Sequence, residues 1–192
     1  MRIFKFLLLP ILILLLILLI IQYIKYTKSN KDYEIEQQEL EYISGDELYT
    51  NNNPMVITFI EKMSLYENIK LYKIFTSLSW EKKYYNLNSV DNYIYHSNEL
   101  LFIKSKAEVK IELINPKYKK YFEKKDSYNN LCYYELTKDN YENVVSFEVI
   151  IRDYNILYIP RFWLFKINTP QTSLEICETN SLFTKIYKKI YT

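Results

Sequence analysis

The sequence predicts a mostly β domain with flanking helices, a small antiparallel sandwich or barrel behind an N-terminal transmembrane helix. Three observations predict it. An uncharged apolar run fills residues 6–24, short β-branched and aromatic runs recur between residues 55 and 159, and an amphipathic stripe closes the chain. A length of 192 residues, 49% hydrophobic and 17% aromatic, allows one such domain and leaves no room for two full cores. The 21 Tyr, 10 Phe and 2 Trp are more apolar surface than a solvated coil carries.

Residues 6–24 read FLLLPILILLLILLIIQYI, with Gln22 the one strongly polar side chain. As a helix they would span roughly 28 Å, close to the hydrocarbon thickness of a bilayer. Pro10 falls in the first turns, where a missing N–H costs least. Tyr23 and Tyr26 would lie at headgroup level with Lys25 and Lys28 beyond them. The run is longer than the apolar part of a signal peptide, and no Ala-x-Ala-like site follows it, so an uncleaved single-pass anchor is expected. Arg2 and Lys5 on one side balance Lys25, Lys28 and Lys31 on the other, so charge leaves the orientation open. The expected layout is a tip at 1–5, the anchor at 6–24, a juxtamembrane linker at 25–34, the β domain at 35–170 and a helical tail at 171–192.

Within the domain, Ile35, Leu40 and Ile43 suggest a short helix ending near Ser44, before a turn at Asn51-Asn52-Asn53-Pro54. Residues 55–60 read as a buried strand and residues 65–80 as a helix. Strands are then expected at 93–95, 100–103, 109–114, 131–136, 144–151 and 156–159. The polar runs 104–106, 117–130 and 138–143 separate them. Leu182, Phe183, Ile186, Tyr187 and Ile190 form one helical stripe opposite Lys185, Lys188 and Lys189.

Composition removes many functions. Two Cys exclude a disulfide scaffold and a four-ligand Cys/His zinc site, one His excludes a histidine-rich metal site, and Gly45 alone cannot build a phosphate loop. Cys132 and Cys177 read as inert buried thiols, since only His96 could serve as an imidazole base beside them. The net charge is +2, but Arg2, Lys5, Lys25 and Lys28 flank the anchor; without them 21 basic residues face 23 acidic ones. No nucleic-acid partner is expected of such a domain; a membrane, and another protein, are. Abundant Ile, Asn, Lys and Tyr with Ala107 as the single Ala fit an AT-rich genome, such as that of a large DNA virus or a protist.

Residues 154–167, YNILYIPRFWLFKI, carry a family resemblance. Leu157-Tyr158-Ile159-Pro160 and Trp163 resemble the last core strands of JmjC-type cupins, the Fe(II)- and 2-oxoglutarate-dependent oxygenase group. Upstream, His96-Ser97-Asn98 resembles the family's His-x-Asp, followed by Lys110 and Leu113-Ile114-Asn115-Pro116. Asn53-Pro54-Met55-Val56-Ile57 is similar to the strand that opens the domain. The resemblance implies a double-stranded β-helix, with His96 as a vestigial iron ligand and Lys110 as a vestigial oxoglutarate-binding lysine. It also implies that His96, Asn98, Lys110 and Phe165 converge inside one barrel.

The same resemblance implies loss of the chemistry. A ferrous oxygenase holds its metal on two His and one carboxylate. Here the carboxylate position is Asn98, a neutral amide, and the distal His position is Phe165. Unless Glu99, Asp91 or Glu148 substitutes, neither Fe(II) nor 2-oxoglutarate is expected, and a tethered, non-catalytic domain acting in interaction or structure follows. A divergent oxygenase working on a protein or lipid near the membrane, and an unrelated β-rich envelope protein, stand as alternatives. Without the resemblance, His96 reads as a half-buried strand histidine, Phe162, Trp163 and Phe165 as core aromatics, and Lys110 as part of a solvated strand face.

Overall fold

The computed structural model describes residues 9–18, 20–21, 34–39, 48, 51–59, 65, 81–88, 91–128, 131–169 and 173–180. Twelve strands run through them: β1 (Glu36–Glu39), β2 (Met55–Thr58), β3 (Glu81–Asn88), β4 (Tyr93–Tyr95), β5 (Leu100–Lys104), β6 (Val109–Ile114), β7 (Phe122–Tyr128), β8 (Leu131–Leu136), β9 (Ser146–Ile151), β10 (Asn155–Ile159), β11 (Leu164–Ile167) and β12 (Ser173–Asn180). They form two six-stranded sheets, ordered β1-β2-β10-β5-β12-β3 and β7-β8-β4-β11-β6-β9. Pairing is antiparallel except between β1 and β2.

The strand order defines the architecture. Eight strands make two four-stranded layers, β3-β12-β5-β10 and β4-β11-β6-β9, and from β3 to β6 and again from β9 to β12 the chain alternates between them. That winding is the jelly roll of two Greek keys, the cupin-like double-stranded β-helix. Strands β1 and β2 extend one layer, and the β7–β8 pair, inserted between β6 and β9, extends the other.

Side-chain alternation puts the core between the layers. Leu101 and Ile103 of β5, Ile111 and Leu113 of β6, Leu157 and Ile159 of β10, and Leu174 and Ile176 of β12 all point inward with Ile94, Trp163 and Phe165. Each such aliphatic side chain contributes about 1.5–3 kcal/mol by leaving water. The intervening positions are not wasted. Leu100, Phe102, Ile156, Tyr158 and Cys177 pack on the outer face of the first sheet with Leu48, Met55, Ile57 and Leu65. Tyr95, Ile114, Cys132, Tyr134, Phe162 and Leu164 do so on the second. Strands buried on both faces explain why the core sequences read as apolar runs rather than as clean alternation.

Several expectations need correction. Residues 36–39 are a strand, not part of a helix: Glu36 N–H donates to Pro54 O at 3.0 Å, and its carboxylate accepts from Asn51 and Asn53 at 2.7 and 3.4 Å, which draws the segment alongside β2. The polar run 117–130 contains β7, an exposed charged strand held by its pairing with β8 rather than by apolar content. The tail expected to be helical from 171 begins with β12, the strand between β3 and β5, because Leu174 and Ile176 supply an inward face. The domain therefore runs past residue 170.

In the apolar N-terminal run, residues 9–18 and 20–21 are helical with outward side chains, Leu9 being 64% and Ile21 54% exposed. Among the described residues no helix is long and apolar enough to cross a membrane. Residues 6–8, 19 and 22–24 of that run, the linker at 25–33, the helix expected at 66–80 and the stripe from Leu182 to Ile190 lie outside the described residues.

Candidate functional site: the polar end of the barrel

At one end of the barrel the apolar interior gives way to polar side chains. The elements that meet there are the segment after β4, the start of β5, the β10–β11 turn and the end of β12. Their residues His96, Asn98, Glu99, Arg161, Glu178, Thr179 and Asn180 are all buried, although separated by as many as 84 positions in the chain. Alternation along β12 carries Glu178 inward in line with Leu174 and Ile176. Glu99 N–H donates to Thr179 O at 2.9 Å, which fixes the two strand ends side by side.

The β10–β11 turn is built to hold the segment after β4. Phe162 has φ 73°, a left-handed backbone that costs a bulky residue about 1–2 kcal/mol. Its N–H donates to His96 O at 3.0 Å, and its ring stacks on Tyr95 at 6.0 Å, which offset that cost. Arg161 Nε donates to Ser97 O at 3.1 Å while its guanidinium covers the Phe162 ring at 4.9 Å. From the N-terminal side, Trp163 Nε1 donates to Asn52 O at 3.1 Å and Tyr158 OH to Leu48 O at 2.9 Å. The Asn52 carbonyl thus meets Trp163 of the inner core, while the Leu48 contact lies on the outer face of the first sheet.

Inside, His96 and Phe165 lie edge to face with centroids 6.4 Å apart. Asn98 Nδ2 donates to Glu178 Oε2 at 2.5 Å. Asn98 thus presents its NH₂ to a Glu178 carboxyl oxygen, which accepts. The positions where the family resemblance asks for a distal imidazole and a carboxylate therefore hold an aromatic ring and an amide that donates to Glu178. That donor set does not fit a ferrous ion. Among the described residues no group of three or more His, Cys, Asp or Glu is arranged to hold any metal ion.

Of the residues singled out in the sequence, His96, Asn98 and Phe165 converge on this end, and Lys110 does not. Lys110 lies on the solvent side of β6, 51% exposed, paired with Glu148 at 3.3 Å. Its neighbours Val109 and Ile111 take the inward positions, so the alternation that makes β6 a strand turns Lys110 away. The expected convergence of Lys110 with His96, Asn98 and Phe165 inside the barrel is corrected accordingly. Among the substitute carboxylates, Glu148 faces outward and Asp91 is exposed, while Glu99 is buried at the polar end.

Sequence reasoning missed Glu178, Asn180 and Arg161. The pattern Leu174-x-Ile176-x-Glu178-x-Asn180 was the available signal, hidden by reading the segment as helix. Cys132 and Cys177 are both buried, in different outer-face clusters, and form no disulfide with each other.

Other buried ionisable groups lie outside this end. Lys104 is 1% exposed on the outer face of the first sheet, with Nζ 3.6 Å from Asp153 Oδ1 and 4.4 Å from the Phe59 centroid. Burial lowers its pKa, although Asp153 acts in the opposite sense. Tyr93 donates to Glu112 at 3.1 Å on the outer face of the second sheet, and burial, then Glu112, push its phenol well up. A surface cavity of about 290 Å³, lined by Glu123, Lys125, Glu135, Leu136 and Thr137, sits at the β7–β8 edge and holds none of the polar-end residues.

Neither a family model nor a curated protein matches the chain. Among solved structures it is similar to hydroquinone 1,2-dioxygenase PnpCD in complex with Cd²⁺ and 4-hydroxybenzonitrile, at 11% identity and TM-score 0.32, over 56% of this chain and 61% of that one. It is also similar to HEPD from Streptomyces albus with 2-hydroxyethylphosphonate and Fe(II) bound, at 7% identity and TM-score 0.31, over 57% of this chain and 20% of that one. The chain spans less than two thirds of either. Likeness at this level carries nothing further, and the cupin-like assignment stands on the strand order of the chain itself.

Proposed function

We propose that the chain is a membrane-tethered cupin-like domain, related to the JmjC type, that works without iron or 2-oxoglutarate and acts through interaction with another protein or as a structural element. The observation that carries this reading is the pair of replacements at the polar end. Phe165 fills the space beside His96, and Asn98 spends its amide on Glu178. Both are packed and bonded rather than merely substituted. His96, Asn98 and Phe165 are each 0% exposed. The tether is supported by the uncharged run at 6–24 and by the outward leucines of its described helical part. A large DNA virus as the source rests on composition alone.

Titration of the full chain in detergent with Mn(II), followed by electron paramagnetic resonance with and without 2-oxoglutarate, tests the reading. No binding in the micromolar range by a folded chain is expected. Micromolar binding that tightens with 2-oxoglutarate would overturn it and restore the oxygenase alternative.

A further inference from the structure

Among the described residues each sheet ends on two edge strands, and three of these four edges carry features that discourage a further strand from pairing there. β1 is short and reads Glu36-Gln37-Gln38-Glu39, and β3 opens Glu81-Lys82-Lys83. β7 exposes Lys124, Lys125 and Asp126 and has a bulge between Lys124 and Asp126. The fourth edge, β9, carries none of these. It reads Ser146-Phe147-Glu148-Val149-Ile150-Ile151, with one charged residue, no lysine and no proline, and keeps unbroken register with β6. Among the described residues β6 is its one strand partner. β10, next in the chain, cannot pair on the free side, because β2 and β5 already occupy both of its own. Ile150 is 43% exposed there, and Phe147, packed on Trp163 at 5.7 Å, is only partly covered.

The sequence of β9 fits itself. Side chains alternate along a strand, so a strand that continues the sheet must set inward residues against inward ones. For two antiparallel copies of β9 this leaves two registers in which five residues overlap, one with a two-fold axis at Glu148 and one with the axis at Val149. The first sets Glu148 against itself, and like charges directly opposite destabilise a pair. The second sets Val149 against Val149 and Phe147 against Ile151 along the inward row, and Glu148 against Ile150 along the outer one. It also brings Arg152, 68% exposed, diagonal to the other copy's Glu148. We propose that β9 pairs antiparallel with the β9 of a second copy about a two-fold axis at Val149, joining the second sheets of the two copies into one of twelve strands. Such a pairing occupies both β9 edges and closes on itself, so it yields a dimer rather than a fibre. The contact is small, which makes the dimer reversible. It depends neither on the tether nor on the loss of the metal site.

The test is sedimentation velocity of the full chain in density-matched detergent over a range of concentrations. A monomer–dimer equilibrium with a dissociation constant of roughly 10 µM is expected. Monomer at every concentration up to about 100 µM, or growth into open-ended oligomers, would overturn the proposal. Glu148→Lys/Ile150→Lys changes exposed side chains of β9 alone and is expected to weaken the dimer about tenfold. A dimer insensitive to that pair would lie on another surface and overturn the assignment to β9. Disulfide formation reads the register without relying on a charge variant. In a Glu148→Cys/Ile150→Cys chain, oxidation is expected to give a covalent dimer linked from position 148 of one copy to position 150 of the other, as mapped by mass spectrometry. Glu148→Cys alone is expected to stay unlinked. The reverse pattern, or no link through either position, would overturn the pairing about Val149.

Discussion

The two ends of the barrel bury polar groups in different ways. At the far end Lys104 is pinned to the turn between β9 and β10, where its ammonium meets the Asp153 carboxylate and the Phe59 ring, and Arg152 pairs with Glu108 in solvent. Charge there is matched, and part of it is wet. The near end gathers Glu99, Glu178 and Arg161 with His96 and Asn98, all within 7% of full burial. Asn98 there donates to Glu178, an amide linked to a carboxylate. An amide there satisfies one oxygen of Glu178 without adding a charge. The far end is a clasp that solvent can forgive. The near end has no bulk water beside its Asn98–Glu178 link, both residues being 0% exposed.

Substitutions sharpen the contrast. Asn98→Asp removes the donor and sets a second carboxylate against Glu178, both shut off from water. Unfolding in urea is expected to show a loss of about 3–5 kcal/mol, with no recovery in Mn(II). A neutral effect, or rescue by the metal, would mean that the near end accepts a cation after all. Trp163→Phe removes the indole N–H that meets the Asn52 carbonyl and leaves a smaller ring in the core, and about 2–4 kcal/mol should be lost by the same measurement.

At the far end, Lys104→Met replaces a buried cation by an apolar side chain of similar length and leaves Asp153 partly solvated. A change below about 1 kcal/mol in either direction is expected at neutral pH. The sign of its pH dependence is diagnostic. Burial holds the Lys104 pKa below its ordinary 10.5, so between that lowered value and 10.5 the unfolded chain binds more protons than the folded one. The wild-type chain should therefore gain stability relative to Lys104→Met as pH rises through that window, and denaturant midpoints across it would show this. A relative loss would place the ammonium in a net favourable site. Smallest of all, Arg152→Ala breaks an exposed pair and should change stability by no more than about 0.5 kcal/mol, read from the thermal midpoint.

How much of this was legible in the sequence follows from which residues carry apolar patterns. Strands β4, β5, β6, β8 and β10 fall where β-branched and aromatic runs place them, within a residue. The convergence of His96 and Phe165 was legible too, but only through resemblance, since nothing in their spacing links β4 to β11. Strands β1 and β7 were not legible, being Glu-, Gln- and Lys-rich and held by neighbouring backbones rather than by their own side chains. Lys110 was read two ways, by motif position as facing the interior and by the period of its strand as part of a solvated face, and the second holds, with Val109 and Ile111 inside. Glu178 escaped because a buried carboxylate announces itself only through its partner, and Asn98 lies 80 residues away.

The position of β12 has a consequence in time rather than in space. The last described strand to leave the ribosome sits between β3 and β5, pairing with one over Ser173–Asn180 and with the other over Glu175–Thr179. Until it arrives, both partners present unpaired backbone edges, and the first sheet cannot close over the core. The domain must therefore fold after synthesis of its main body, through contacts distant in sequence, as a slow step exposed to aggregation. A chain that terminated before Ser173 would be an open sheet seeking any strand that fits.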